Sequence, residues 1–345
     1  MFSLKQTVYF GTYTKKNSNG IYQATLDTEK QELSQPKNII TVGNPTYLRL
    51  TNDQSLISVA TEGPLGGIAN YYLPDNAFDL LADPLSNGSS PCYIGLDLER
   101  RLVFAAYYHR ATVEIYRLNS DQTLTLTDTI KHSGSGPRPE QESAHIHFAD
   151  LTPDHRLAVI DLGNDTLTTY DISADGKLTL KNTLNFEKGF GPRHLVFAPN
   201  GEYAYLVGEL SSQVATLKYD SENGSFSILQ VQKTIPDDFK EHNGAAAIRI
   251  SKDGQHVYVS NRGHNTLALF DVTSNHQLQF IEYKSTEGDF PRDFAIDSTG
   301  KYLIVANQNT DNATLFTVDE QSGKLDCIQK DIPLPEGVCV CFANN

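Results

Sequence analysis

The chain of 345 residues has no long apolar run, few cysteines and fewer basic than acidic side chains. No segment is apolar over the length that a bilayer requires, and no charged-then-apolar leader precedes Gln6. The four cysteines include no CxxC pair, which favours a reduced, cytoplasmic protein. The formal net charge of −14 argues against nucleic acid, because its phosphates are bound by basic surfaces. We therefore expect neither a membrane nor a nucleic-acid partner.

The sequence also lacks the short motifs of several common catalytic sites. It contains no GxSxG, no HExxH and no phosphate-binding loop. His145 and His147 would share one face of a strand, but no third metal ligand accompanies them. Cys339 and Cys341 alternate on a predicted strand, and we expect them to be buried strand residues. We predict that the protein needs neither a metal ion nor another cofactor.

A hairpin of two short strands around a polar turn recurs along the whole chain. The clear copies are Asn44–Gly63, Gly191–Leu210, Gly244–Gly263 and Phe290–Asn309, and the looser ones are Ser90–His109 and His145–Asp165. The first strands are anchored at Pro45, Pro91, Ile146, Pro192, Ala245, Pro291 and Gly337. Successive anchors are 46, 55, 46, 53, 46 and 46 residues apart. A repeat of this length that contains only strands is typical of a β-propeller.

The seventh copy is divided between the two ends of the chain. Its first strand is Gly337–Asn345, and the matching second and third strands are Thr7–Thr14 and Gly20–Leu26. Third strands of other copies are predicted at Thr166–Ile172, Gln213–Tyr219, Asn265–Val272 and Asn312–Val318. We predict an all-β, seven-bladed propeller of four-stranded antiparallel blades, closed by a blade that both termini share. Residues 1–345 would form one domain, either a monomer or a weak homodimer.

One rim of the predicted ring collects polar side chains. The start of each first strand and the end of each second strand lie on the same face, since the hairpins are antiparallel. The residues after the anchors are Thr46, Cys92, His147, Arg193, Ala246, Arg292 and Val338. The second strands end near Tyr13, Glu62, Tyr108, Asp161 or Leu162, Glu209, Arg262 and Gln308. This ring differs from blade to blade, which favours a site for one asymmetric ligand over a polar channel that merely holds water.

The two longer spacings support the same rim. Their extra residues, Lys131–Ser143 and Ile235–Gly244, precede first strands and should overhang this face, which is where repeat folds usually bind ligands. They bring Arg138 and His242 close to the rim. The predicted substrate-binding residues are Arg292, His194, His145, Glu62, Tyr108, Gln308 and Asn243.

Several segments resemble the seven-bladed propeller lactonase family, which includes bacterial 6-phosphogluconolactonases and fungal carboxymuconate-lactonizing enzymes. They are GPRHLVFAPNGEYAYLVGEL from Gly191, the HxH at His145, the NRG at Asn261 and FPRDFAID from Phe290. The resemblance implies a cofactor-free enzyme acting on a lactone with an anionic group. By motif it assigns the site to His147, Glu209, Arg193 and Arg262. Ala246 and Val338 depart from a fully polar ring.

The resemblance and the arginines of the rim together lead us to expect hydrolysis of a small anionic lactone, first of all 6-phosphogluconolactone in the pentose phosphate pathway. The alternatives are a lactonase or lactonizing enzyme for another, carboxylated substrate of the carboxymuconate type, or a non-catalytic propeller that binds a partner through the same face. Either Glu209 or His147 could be the general base, and nearby arginines should keep Glu209 ionised. From sequence we expect Glu209→Gln to lower turnover by ~100-fold or more with little change in melting temperature. Arginines beyond those that one oxyanion needs favour a substrate with its own phosphate or carboxylate.

Overall fold

The computed structural model describes residues 4–52, 55–73 and 78–343, which form seven antiparallel β-sheets. Each sheet is one blade, and blades 1 to 7 are numbered here by the chain order of their innermost strands. Those strands are β5 (Leu48–Leu50), β10 (Tyr93–Asp97), β14 (Ile146–Leu151), β18 (Pro192–Phe197), β22 (Gly244–Ile250), β26 (Pro291–Ile296) and β30 (Gly337–Phe342). Four predicted anchors, Ile146, Pro192, Pro291 and Gly337, are the first residues of their strands. Asn344 and Asn345, at the end of the last predicted strand, lie outside the described residues.

The second and third strands form the middle of each blade. The second strands are β1 (Lys5–Thr12), β6 (Ser55–Glu62), β11 (Leu102–Tyr107), β15 (Leu157–Asp161), β19 (Tyr203–Gly208), β23 (His256–Arg262) and β27 (Tyr302–Asn307). The third strands are β2 (Gly20–Asp27), β7 (Leu65–Tyr72), β12 (Thr112–Leu118), β16 (Thr166–Ile172), β20 (Gln213–Asp220), β24 (Thr266–Val272) and β28 (Asn312–Val318). The predictions for β16 and β28 match the observed bounds, and those for β20 and β24 differ by one residue.

The outer strands complete the blades. Blades 2 to 6 have one outer strand each: β13 (Leu124–Lys131), β17 (Leu178–Asn185), β21 (Ser225–Lys233), β25 (Leu278–Ser285) and β29 (Leu325–Pro333). In blades 1 and 7 the outer position is divided between two short strands: β8 (Asp79–Ala82) with β9 (Leu85–Asn87), and β3 (Glu32–Leu33) with β4 (Lys37–Thr41). The prediction of four strand positions in each blade is therefore confirmed.

The ring closes as the sequence predicts. In blade 7 the C-terminal strand β30 pairs with the N-terminal strand β1, and Val8 lies opposite Phe342. Each innermost strand contacts the next around the ring, and β5 contacts both β30 and β10. The two ends of the chain thus occupy one sheet, and the closed ring leaves no innermost strand without a neighbour on either side.

Burial follows the position of a strand in its blade. All six residues of β11 and all seven of β23 are buried, because a second strand lies inside a blade that packs against blades on both sides. Outer strands such as β17 are largely exposed. A short 3-10 helix, Pro139–Gln141, lies in the first long loop. No helix in the described part of the chain is long and apolar enough to cross a membrane.

Candidate functional site

A β-bulge at the start of the innermost strand directs the predicted rim residues. In blade 3, Ile146 lies opposite Asp161 and Phe148 lies opposite Ile160, so His147 is the extra residue. The same irregularity leaves Arg193, Arg292 and Val338 unpaired in blades 4, 6 and 7, and it falls at Ala246 and Ala247 in blade 5. A bulge re-aims a side chain and is frequent beside active sites. The repeated bulge leaves the backbone of one residue in blades 3, 4, 6 and 7, and of two residues in blade 5, outside the strand pairing.

These side chains surround a cavity of 440 Å³ at one end of the central channel. The residues in its lining from the predicted rim are Tyr13, Thr46, Cys92, Tyr108, His147, Arg193, Glu209, Arg262, Arg292 and Val338. The charged residues in the described lining are Lys15, Arg193, Arg262 and Arg292 against Glu209 and Asp293. The cavity is therefore locally basic in a chain whose net charge is −14. This local excess of positive charge attracts an anionic ligand, even though the negative net charge of the whole protein repels one.

Glu209 joins two arginines from neighbouring blades. Its Oε2 lies 2.8 Å from Nε of Arg193, and its Oε1 lies 2.8 Å from Nη2 of Arg262. Backbone carbonyls hold both guanidinium groups: Arg193 donates to Ala246 at 2.7 Å, and Arg262 donates to Gly244 at 3.1 Å. Burial alone would raise the pKa of Glu209, but Arg262 and Arg193 outweigh it and lower the pKa to about 2. Glu209 is therefore ionised at neutral pH and oriented by two cations.

His147 brings a neutral imidazole to the cavity. It is buried, and its Nδ1 accepts or donates no hydrogen bond in the described structure. Burial first, and then the charge of Arg193, lower its pKa well below the usual value of 6.5. Its ring meets Tyr108 and His194 edge-on, with centroids 5.8 and 5.1 Å away. His147 is therefore neutral at neutral pH, and its Nδ1 is available for a hydrogen bond to a ligand or a water molecule.

Arg292 and Lys15 are the cations of the cavity that have no carboxylate partner among the described residues. Both lie against the ring of Tyr13: the guanidinium carbon of Arg292 is 5.4 Å from the ring centroid, and Nζ of Lys15 is 4.2 Å from it. Sequence reasoning missed Lys15, because it belongs to the loop after β1 and has no counterpart in the hairpin repeat. One feature of the sequence could have identified Lys15: it lies two residues after Tyr13, which is a predicted rim residue.

Two predicted binding residues lie outside this cavity. Glu62 is exposed and lines a neighbouring cavity, and Thr61 contributes to the channel cavity in its place. The bridge between Gly43 and Thr61 sets this register at the end of β6. Gln308 is half-buried beside the rim, where its backbone N–H donates to the carbonyl of Phe290 at 3.1 Å. Strand ends thus vary by one residue between blades, and this changes which side chain reaches the channel.

Two further predicted residues support the rim from behind. His145 stacks on Tyr108 with ring centroids 4.2 Å apart, and its Nε2 lies 3.1 Å from Oε1 of Glu142. The amide of Asn243 donates to Ser212 at 2.9 Å and lines a second cavity under the long loops. Neither side chain lines the channel cavity. Their contacts hold the loops and the ring of Tyr108 in position.

That second cavity, of 380 Å³, adjoins the first. It is lined by Arg138 and Glu140 from the first long loop and by His242 from the second. Glu209 and Arg262 line both cavities. The two loops therefore lie on the rim that carries the polar ring, as predicted from their spacing.

The opposite end of the channel has a different electrostatic character. A cavity of 500 Å³ opens there, and its arginines are paired: Arg49 with Asp150 at 3.2 Å, and Arg249 with Asp293 at 2.7 Å. Tyr47, His194 and Asp293 line this cavity and the channel cavity alike. His194, predicted to bind substrate, is thus part of the floor between them, and burial followed by the charge of Arg193 lowers its pKa well below 6.5. Among the described residues that line the two ends of the channel, the cations without a carboxylate partner therefore lie at the end with the bulged residues.

Cys92 and the potential metal ligands add little to the chemistry of the cavity. Burial raises the pKa of the Cys92 thiol to about 12, so this side chain is a protonated thiol at neutral pH. The described residues include no group of three His, Cys, Asp or Glu side chains that could hold a metal ion. The independence from metal ions remains a prediction.

Comparisons with known proteins agree with this architecture. The chain is 53% identical to a Lactobacillus plantarum protein of known crystal structure, with a TM-score of 0.97 over 99% of this chain and 100% of that one. It is 41% identical over 340 residues to the 6-phosphogluconolactonase of Bacillus subtilis, covering 97% of each chain. The periplasmic gluconolactonase of Pseudomonas aeruginosa is 29% identical, with a TM-score of 0.91 and 99% of both chains covered.

A family model provides the assignment. The model described as "Lactonase, 7-bladed beta-propeller" matches residues 7–342, which include all the described strands except the first residues of β1. The resemblance noted from the GPRH and FPRDFAID segments is thereby confirmed. The chain belongs to the seven-bladed β-propeller lactonase family.

Proposed function

We propose that this protein hydrolyses 6-phosphogluconolactone to 6-phosphogluconate in the channel cavity. One observation carries the proposal: His147, whose Nδ1 has no hydrogen-bond partner in the described structure, shares the cavity with the Arg193–Glu209–Arg262 ion pairs. Arg292, which has no carboxylate partner among the described residues, lines the same cavity. These groups provide a base, donors for an oxyanion and a cation for a substrate phosphate. The Bacillus subtilis 6-phosphogluconolactonase at 41% identity supports the substrate.

We assign the role of general base to His147. Both oxygens of Glu209 are already engaged, because each lies 2.8 Å from a guanidinium nitrogen. His147 is neutral and its Nδ1 has no partner in the described structure, so the imidazole is available to a water molecule. Glu209 then serves to orient Arg193 and Arg262.

The reaction follows from these roles. His147 takes a proton from water while the water oxygen bonds to the lactone carbonyl carbon. Charge develops on the carbonyl oxygen, and guanidinium N–H groups of Arg193 or Arg262 donate hydrogen bonds to it. The bond between that carbon and the ring oxygen then breaks, and the ring oxygen takes the proton from the imidazolium of His147. The product is a hydroxy acid, which ionises and releases one proton to the solvent.

Arg292 is the proposed anchor for the phosphate. Arg193 and Arg262 are already paired with Glu209, whereas Arg292 lies over the ring of Tyr13 and has no carboxylate partner among the described residues. A guanidinium can bind a phosphate through two parallel hydrogen bonds. The size of the cavity, 440 Å³, is within the range of small-molecule sites.

A second candidate is a lactonase for a substrate without phosphate. The Pseudomonas aeruginosa neighbour, a periplasmic gluconolactonase, favours it. A carboxylated lactone would also suit the same cations. A partner-binding propeller is less well supported, since the exposed large apolar residues of the described chain lie away from the lining of the cavity. We keep the cytoplasmic location and a place in the pentose phosphate pathway as parts of this proposal.

The test measures proton release by the purified protein with 6-phosphogluconolactone and with glucono-δ-lactone, above the spontaneous rate and with or without chelator. Wild-type protein should prefer the phosphorylated lactone. His147→Gln should lower kcat by ~100-fold or more, the usual scale for loss of a general base. The matched control is His155→Gln, an exposed histidine of the same blade, which should leave kcat unchanged. Near-normal turnover by His147→Gln would refute its role, and the absence of turnover with either lactone would refute the proposed function.

A further inference from the structure

The loop after β1 carries an exposed lysine to the mouth of the channel cavity. Lys15 lines the cavity, as Tyr13 does, and Nζ of Lys15 is 4.2 Å from the centroid of the Tyr13 ring. Arg292 is 5.4 Å from the same centroid. The two cations therefore lie within about 10 Å of each other, about one Debye length at 0.1 M salt, so their repulsion is only partly screened. An anion bound between them would relieve that repulsion.

Glu336 fixes the backbone of this loop. Its carboxylate is buried and accepts hydrogen bonds from four successive backbone N–H groups, those of Lys15, Lys16, Asn17 and Ser18, at 2.9 to 3.2 Å. A run of converging N–H groups is a good site for a carboxylate. Backbone N–H groups, rather than the ammonium group of Lys15, bind the carboxylate of Glu336. The ammonium group instead lies at the cavity, against the ring of Tyr13.

Further contacts hold the beginning of the same loop. The N–H of Tyr13 donates to the carbonyl of Glu336 at 3.0 Å. The N–H of Thr14 donates to Oδ1 of Asn44 at 3.1 Å, and the N–H of Asn44 donates to Oγ1 of Thr14 at 3.1 Å. The position of Lys15 at the cavity is therefore set by a fixed backbone, and only its side chain has to adjust to a ligand.

We propose that Lys15 and Arg292 together bind the phosphate of the substrate, and that Glu336 is a positioning residue for Lys15. This inference rests on the proposed function and narrows it, because two unpaired cations suit a dianionic phosphate better than a neutral sugar lactone. Lys15 would then determine specificity for phosphorylated lactones, while the reaction centre at His147 stays the same.

The experiment compares kcat/KM for 6-phosphogluconolactone with kcat/KM for glucono-δ-lactone. Lys15→Met should lower the ratio of the two values by about tenfold, the lower end for a charge-assisted hydrogen bond to an exposed cation. Lys16→Met is the matched control: Lys16 is exposed, carries the same charge on the same loop and lies outside the cavity lining. Its ratio should equal that of the wild type. An unchanged ratio in Lys15→Met, or an equal fall in Lys16→Met, would overturn the proposal.

The role of Glu336 is tested through its coupling to Lys15. Glu336→Gln should raise KM for the phosphorylated lactone and leave kcat unchanged. The double variant Lys15→Met/Glu336→Gln should show the same ratio as Lys15→Met alone, because Glu336 acts through Lys15. A purely structural Glu336 would lower the melting temperature without changing the ratio, and that result would refute its positioning role.

Inorganic phosphate separates this inference from the proposed function. Wild-type protein should bind phosphate in calorimetric titrations about tenfold more tightly than Lys15→Met does. If the wild type hydrolyses neither lactone but phosphate binding depends on Lys15, the proposed function fails and the anion site stands. If the wild type is active and Lys15→Met affects neither phosphate binding nor the kcat/KM ratio, the function stands and the anion site fails.

Discussion

Glu209→Gln should destabilise the folded protein in a manner that depends on pH. The pKa of Glu209 is about 2, against an ordinary value of 4.5, because Arg262 and Arg193 outweigh the effect of burial. Each pH unit of this difference corresponds to about 1.4 kcal/mol, so ionised Glu209 contributes about 3 kcal/mol to the free energy of unfolding at pH 7. Its side chain is only 20% exposed, so solvent screens the ion pairs incompletely. We therefore expect Glu209→Gln to lower the melting temperature, where the sequence alone led us to expect a nearly unchanged value.

The sign of the pH dependence follows from the lowered pKa. A carboxyl group with a depressed pKa in the folded state stabilises the protein fully above its ordinary pKa and loses that contribution as the pH falls toward about 2. The difference in free energy of unfolding between wild type and Glu209→Gln should therefore be largest at pH 5 and above. It should become smaller as the pH is lowered from 4 to 3.

Urea unfolding followed by far-ultraviolet circular dichroism measures this gap, since the chain contains no tryptophan to serve as a fluorescent probe. The matched control is Glu62→Gln, an exposed glutamate of the same rim, which should change the free energy of unfolding by about 0.5 kcal/mol or less. Equal stability of Glu209→Gln and Glu62→Gln at pH 7 would refute the reasoning. So would a gap of constant size between pH 7 and pH 3.

Four further results are expected. Arg292→Ala should lower kcat/KM for 6-phosphogluconolactone by about 10- to 100-fold and affect glucono-δ-lactone far less; equal losses would place Arg292 at the carbonyl or in folding. With glucono-δ-lactone, kcat/KM should be level from pH 5 to 8, because the pKa of His147 lies well below 6.5; a fall centred near pH 6.5 would contradict this. Deleting Met1–Leu26 removes β1 and almost all of β2 from blade 7 and should abolish cooperative unfolding, so wild-type melting would disprove the need for closure. Chelator should leave activity intact, and restoration by calcium or zinc after its loss would show a metal requirement.

Much of the site could be predicted from local sequence. The bulged residues His147, Arg193 and Arg292 each follow a recognisable anchor. Arg262 ends a recognisable strand, and Glu209 directly follows one. Their convergence follows from antiparallel hairpins arranged in a ring. The sequence pattern placed Glu62 in the channel cavity, where the structure has Thr61. The end of a strand can shift by one position without changing the alternation along the strand, so the pattern could not distinguish these two residues.

The sequence by itself determined the number of blades, the antiparallel hairpins and the closure of blade 7. The reason is that alternating strands and polar turns are local signals, repeated often enough to reinforce one another. Only the tertiary structure decided that Arg193 and Arg262 are paired with Glu209, that His147 stays neutral, and that Lys15 reaches the cavity. Charge states and the directions of loop side chains depend on distances between blades. A contact such as that of Lys15 with Glu336, 321 positions apart, leaves no periodic mark on the chain.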